Sequence, residues 1–209
     1  MKLIDFPAGN YRFLSGGAFS EAVVAMPGFR LHRVRFAQPI AMDDGFGRLR
    51  QYLQMVGRPG TSLAACELRS PAPRSREDFN SFNAEYVKHL HALGCEWESK
   101  NPVARSNMAP LLSKPATTLL YAFCYTEPLQ EHAPETSGPD FVISGKPENK
   151  VLADGSSLVI GGEGLDANAW VEKARYTLDV MMERVRAIGA SWDSVSALQI
   201  YCPQDRKST

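Results

Sequence analysis

In the stretch NPVARSNMAP, Asn101 to Pro110, a single arginine, Arg105, stands among small residues and two prolines. An amphipathic helical pattern precedes it and the apolar run TTLLYAFCYT, Thr117 to Thr126, follows. A guanidinium planted between strand-like runs needs a partner. Its parallel donors match the two oxygens of a carboxylate, and it stays charged at any relevant pH. Two kinds of carboxylate fit: that of a small-molecule substrate, or an acid of the chain such as Glu67 or Glu85. Other reactive side chains are scattered. Cys66, Cys95, Cys124 and Cys202 form no CxxC pair and have no neighbouring histidines, which argues against a zinc site and against a disulfide framework. Three of them lie in strand-like runs, as buried free thiols do. His89 and His91 are too close in sequence to share a helix face, and His132 lies in a polar loop, so no metal site is expected.

The elements that must position Arg105 are legible from periodicity. Tyr11–Ser15, Glu21–Met26 and Phe29–Phe36 read as strands, the last with Phe29, Leu31, Arg33 and Arg35 on one face and His32, Val34 and Phe36 on the other. A helix is predicted after Asp43-Asp44, either of which could cap it. Its stripe is Phe46, Leu49, Leu53 and Val56, and Gly57 ends it. Leu63–Leu68 is the next strand. A second helix is predicted from about Ser75 to Leu93, with Phe79, Phe82, Tyr86, Leu90 and Leu93 as its apolar stripe and Gly94 as its stop.

Beyond the strand Leu119–Tyr125 the composition shifts. PLQEHAPETSGPD, Pro128 to Asp140, is rich in Pro, Glu, Ser and Thr and reads as a linker. Strands are then predicted at Phe141–Ser144, Leu158–Ile160 and Val195–Tyr201. Between them Asp166–Gly189 is the clearest helix, with the stripe Trp170, Ala174, Leu178, Met181, Val185 and Ile188. Strand, helix, Gly stop and strand thus occur twice, which suggests an internal duplication. Such units imply parallel pairing with helices on a sheet face.

Composition bounds the function. The chain has 209 residues, 44% apolar and 22% charged, with 23 basic and 23 acidic residues. No net field draws it to nucleic acid or to an anionic membrane. No stretch approaches the ~20 apolar residues of a membrane span, and no basic-then-apolar segment opens the chain. A cytoplasmic protein with reduced thiols is expected.

GASWDSVSALQIYCPQD, Gly189 to Asp205, resembles the G-A-S-x-D-x-V pattern of the reactive intermediate deaminase A (RidA) family. In the first half LAACELRSP, then DFNSFNAEY (Asp78 to Tyr86), then NPVARSNMAP, then TTLLYAFCYT resembles that family's strand, its D-F-x-x-x-N-x-x-Y helix, its P-A-R strand and its last strand. The resemblance implies a duplicated, chorismate-mutase-like α+β fold with helices packed on one face of each sheet. Residues 1–128 would form a complete domain, 129–140 a linker, and 141–209 a partial second domain without a counterpart of Arg105. It further implies homotrimers with clefts between subunits and no cofactor. The implied activity is hydrolytic deamination of small carboxylate-bearing enamines or imines, or of 2-aminomuconate-type intermediates of aromatic catabolism.

Carried onto this chain, the family arginine is Arg105, holding the substrate carboxylate. Asn107 stands where simple members often have cysteine, and can hydrogen-bond a carboxylate or water. Simple members carry a glutamate in the last strand, whereas Thr117 to Ala122 reads TTLLYA with no acid. The run IGGEG, Ile160 to Gly164, occupies the place of the family's S-G-Q turn. Gly162 would allow close backbone approach to a ligand, and Glu163 is the candidate general acid/base. The turns at Ser15–Gly17 and Ser144–Lys146 are candidates of the same kind. Two other readings stay open: a non-catalytic, small-carboxylate-binding oligomer and a chorismatase-like hydrolase.

Overall fold

A computed structural model describes residues 1–17, 19–74, 76–130, 138–152, 154, 156–162 and 166–202. In chain order the strands and helices are β1 (Lys2–Phe6), β2 (Tyr11–Ser15), β3 (Phe19–Ala25), β4 (Phe29–Ala41), α1 (Met42–Met55), β5 (Leu63–Arg69), α2 (Arg76–His91), β6 (Asn101–Met108), β7 (Leu119–Pro128), β8 (Phe141–Ile143), β9 (Asn149–Val151), β10 (Ser157–Val159) and α3 (Ala167–Ala187). The protein is of the α+β class, with one large mixed sheet and three α-helices among the described residues. Along that sheet the order is β1-β2-β3-β6-β5-β7-β4. β6 runs parallel to both β3 and β5, whereas β7 is antiparallel to β5 and β4. Among the described residues no helix is long and apolar enough to cross a membrane.

The predicted alternation of β4 is met. Val34 and Phe36 pack on the helix-covered core, while Arg33 forms a two-point ion pair with Glu67 on the other face. The main core lies between the sheet and α1 and α2. Phe46, Leu49 and Leu53 of α1 and Phe82, Tyr86 and Leu90 of α2 meet Cys66, Leu68, Val103, Leu120 and Phe123. Each such side chain contributes roughly 1.5–3 kcal/mol on burial. This core seats α2 over β5 and β6, and so over Arg105. Asp43 and Asp44 sit inside the first turn of α1 without capping it, since the cap position is Ala41 and makes no side-chain bond. There they favour the positive helix end electrostatically.

The second half departs from expectation in three places. Its first strand, β8, pairs antiparallel with β3 of the large sheet, and only β9 and β10 form a separate, two-stranded sheet. The reason lies in β3, which is in register with β6 only at Phe19 and Ser20. The backbone groups of Ala22–Val24 would be an open edge, and β8 pairs with them. Val195–Tyr201, expected as a strand, forms no regular structure and pairs with no strand among the described residues. α3 lies where predicted and is capped by Asp166, whose side chain accepts from the Asn168 and Ala169 amides, but its buried face is turned. Ala169, Lys173, Arg184, Val185 and Ile188 are covered while Leu178 is 38% exposed. The turn is set by polar anchors: Lys173 donates to the Gly162 carbonyl at 2.8 Å and Arg184 to the Ser144 carbonyl at 2.8 Å. Buried cations need such partners.

Candidate functional site

Arg105 projects from β6 toward α2. Its guanidinium carbon lies 4.0 Å from the ring centroid of Phe19, 4.9 Å from Tyr86, 5.5 Å from Phe82 and 5.7 Å from Phe79. One hydrogen bond holds it, from Nη1 to Asn83 Oδ1 at 2.9 Å. Phe79, Phe82, Asn83 and Tyr86 fall three, one and three residues apart, which places them on one face of α2. They are the side chains of the Asp78–Tyr86 motif, so the family pattern had already marked three of Arg105's neighbours. Phe79 is 42% exposed and opens the cage to solvent.

Among the described residues no acid answers Arg105. Glu67 is bound by Arg33 and approached by Arg69, and Glu85 pairs with Lys88. Among the described residues Arg105 therefore has no carboxylate partner, and neither Glu67 nor Glu85 serves as one. Burial works against its charge, while the nearby Tyr86 and Cys66 act the other way. A desolvated guanidinium wrapped in ring faces binds a carboxylate more strongly than one in water. The neighbouring thiol is not a nucleophile: burial pushes the Cys66 pKa up to about 12, so it stays protonated. The Tyr86 hydroxyl pKa is raised by burial and next by that thiol, and the hydroxyl has no partner at hydrogen-bond geometry.

The Arg105 backbone is tied to the second half through Ser144. Ser144 Oγ accepts from the Arg105 amide at 3.0 Å and donates to the Ser20 carbonyl at 2.6 Å, and the Gly145 amide donates to the Arg105 carbonyl at 3.0 Å. Arg184 of α3 binds the Ser144 carbonyl and pairs with Glu21 of β3. Its pKa is lowered to about 10 by burial, so it remains a cation at neutral pH. Glu21 in turn lies against Gly16, where an added Cβ would collide with its side chain.

The sequence-derived candidates fare differently. Asn107 is exposed on β6, its Oδ1 accepting from Ser70 Oγ at 3.0 Å. Gly162 sits in a turn with φ +56°, its carbonyl engaged by Lys173. No contact among the described residues joins it to Arg105. Glu163 lies outside the described residues. Of the three Gly-containing turns, Ser144–Lys146 meets the Arg105 strand through its described residues. Asn83, Phe19 and Arg184 were missed as site residues, whereas Ser144 stood in a turn already named as a candidate. Asn83 and Phe79 stood in a quoted motif, but Phe19 and Arg184 carry no local signal.

A mixed α+β scaffold thus holds an aromatic-wrapped arginine that has no carboxylate partner among the described residues. The chain belongs to the 2-aminomuconate deaminase CnbZ family, which it matches over residues 3–209. It is 34% identical over 212 residues to a 2-amino-5-chloromuconate deaminase of Comamonas testosteroni, a match covering 97% of this chain and 80% of that protein. Among solved structures, a putative translation initiation inhibitor from Salmonella typhimurium is similar at 13% identity and a TM-score of 0.28, covering 59% of this chain and 95% of that one; a likeness of that size adds nothing to the assignment.

Proposed function

We propose that the protein is a hydrolytic deaminase acting on a 2-aminomuconate-type enamine of aromatic catabolism and releasing ammonia. The observation that carries the reading is Arg105, caged by four aromatic rings and without a carboxylate partner among the described residues. Family membership and the name of the relative support the aminomuconate class.

The chemistry needs little machinery. A proton is delivered to the enamine β-carbon, giving an iminium. Water adds to the iminium carbon, a proton moves to nitrogen, and the carbon–nitrogen bond breaks to give ketone and ammonia. Arg105 holds the carboxylate next to the reacting carbons, which fixes them relative to water. Phe19 and Phe79 offer faces to the conjugated chain. Asn107 is proposed to hold the water or a carboxylate oxygen, and the Gly162 turn to approach the ligand. Glu163 is proposed as the proton carrier, on the grounds of its place in the IGGEG turn. Such a group typically contributes ~10²–10⁴-fold.

The reading includes a RidA-like homotrimer in the cytoplasm, built on a duplicated unit. The glycines that stop α1 and α3, Gly57 and Gly189, share left-handed φ values of +68° and +76°, which supports the duplication. Leu178, Leu198 and Ile200 are exposed, which supports burial against other copies. The test is ammonia release from freshly generated 2-aminomuconate. Release by the native protein and its loss in Arg105→Ala are expected. No release by the native protein overturns the reading and leaves a carboxylate-binding oligomer.

A further inference from the structure

A second arginine shares the ring that flanks Arg105. Arg74, in the loop between β5 and α2, places its guanidinium carbon 4.4 Å from the Phe82 centroid, and Arg105 lies 5.5 Å from the same centroid. The two charges are therefore at most about 10 Å apart. Arg74 has no carboxylate partner among the described residues: Nη2 donates to Thr118 Oγ1 at 2.5 Å, and Nε is buried without a hydrogen bond.

Arg74 stands at one end of the sheet, and Arg105 lies within β6, opposite Cys66 of β5. β5 and β6 are parallel, and the loop carrying Arg74 leaves the carboxyl end of β5, beside the carboxyl end of β6 where Asn107 bonds Ser70. Ligands of open sheets with crossover helices gather outside such strand ends. A groove of about 680 Å³, within the range of small-molecule sites, opens beside Arg74 and is lined by Arg74, Phe82 and Thr118; it reaches Phe82 but not Arg105 itself. Its lining acids are engaged: Asp43 by His89 and Glu85 by Lys88, and Asp78 too has a partner.

We propose that Arg74 is a second carboxylate-binding residue, so that the site takes a dicarboxylate with one carboxylate on Arg105 and the other on Arg74 across Phe82. A six-carbon conjugated diacid places its carboxyl carbons roughly 6 Å apart, within the span of the two guanidiniums. The inference deepens the deaminase reading and rests on it for the choice of a six-carbon diacid. It makes Arg74 a specificity determinant: a monocarboxylate of the same length uses Arg105 alone.

The test compares binding of trans,trans-muconate and sorbate, which differ in one end, carboxylate against methyl. Calorimetric titration of the full chain is expected to show muconate bound more tightly. Arg74→Gln weakens muconate by about 10- to 100-fold and leaves sorbate unchanged, whereas Arg105→Gln weakens both. An equal effect of Arg74→Gln on the two ligands, or none on muconate, overturns the proposal. Should Arg74→Gln not fold, Arg74→Lys decides. A loss of about threefold or more confined to muconate supports the clamp, since lysine lacks the two-point geometry, and an equal change or none overturns it. Muconate preference without ammonia release would sink the deaminase reading alone. Ammonia release without any preference for the diacid would sink this inference alone.

Discussion

Replacing Arg105 and, separately, Arg184 with methionine distinguishes an arginine kept for a ligand from one kept for the fold. Both are largely buried cations with one carbonyl-type hydrogen bond, to Asn83 and to Ser144 respectively. They differ in the acid: Arg184 has Glu21, and Arg105 has none among the described residues. Breaking a buried ion pair by removing one partner costs about 3–5 kcal/mol, because the other charge is stranded. Glu21 keeps 25% of its side-chain surface in water, so Arg184→Met is expected near the low end, about 3 kcal/mol. Arg105→Met strands nothing. It loses a charge-assisted hydrogen bond of about 1.5–3 kcal/mol, but relieves the cost of holding an unpaired guanidinium out of water. The net change in stability is expected to stay within about 1 kcal/mol. Binding should show the reverse. Loss of the carboxylate partner costs about 2–4 kcal/mol, a fall of about 30- to 1,000-fold in kcat/KM for an aminomuconate-type substrate. Urea unfolding of both variants beside an ammonia-release assay measures the two quantities. If Arg105→Met unfolds as easily as Arg184→Met while kcat/KM is preserved, Arg105 is a structural residue and the reasoning is wrong.

Asn83→Ala leaves Arg105 charged but without its orienting acceptor, so KM should rise by about 3- to 10-fold with kcat little changed, read from steady-state ammonia release. Alkylation of the native protein at pH 8 should label Cys202, which is exposed, and spare the buried Cys66, Cys95 and Cys124; peptide mass mapping reads this directly. Burial raises the Cys66 and Cys124 pKa values from 9.0 to about 12, so the folded chain holds protons that the unfolded chain gives up. Their contribution to stability is then whole below pH 9 and falls as the pH rises toward 12, which pH-dependent urea midpoints would show. A Cβ at Gly60 would stand 2.7 Å from the Leu93 carbonyl oxygen, and backbone cannot step aside as a side chain can. Gly60→Ala should therefore cost about 1–3 kcal/mol with the ligand site intact, a loss of Tm without a change in KM.

Much of this was legible in the chain because it depends on local chemistry. Hydrophobic periodicity placed α1, α2 and α3, since a helix face must be apolar every three to four residues to be covered. Arg105 declared itself by contrast, a fixed charge inside a strand-like setting. The Asp78–Tyr86 motif already held Phe79, Asn83 and Tyr86 at the spacing that turns them toward β6. What the sequence could not specify is which charges find one another across long separations. Glu67 was as plausible a partner for Arg105 as any acid until β4 brought Arg33 to it. Arg74 and Arg105 are 31 positions apart in the numbering, and only the seating of α2 puts Phe82 between them. The buried face of α3 was misread because apolar periodicity says nothing of the carbonyls at Gly162 and Ser144, which drew Lys173 and Arg184 inward. The strand expected at Val195–Tyr201 failed for a related reason: a β-pattern states a capacity to pair, and pairing needs an edge that tertiary structure must supply. The sequence by itself determined that a lone guanidinium would sit in an apolar strand. The tertiary structure decided that Glu67, Glu85 and Glu21 would not reach it, because packing had committed each of them elsewhere.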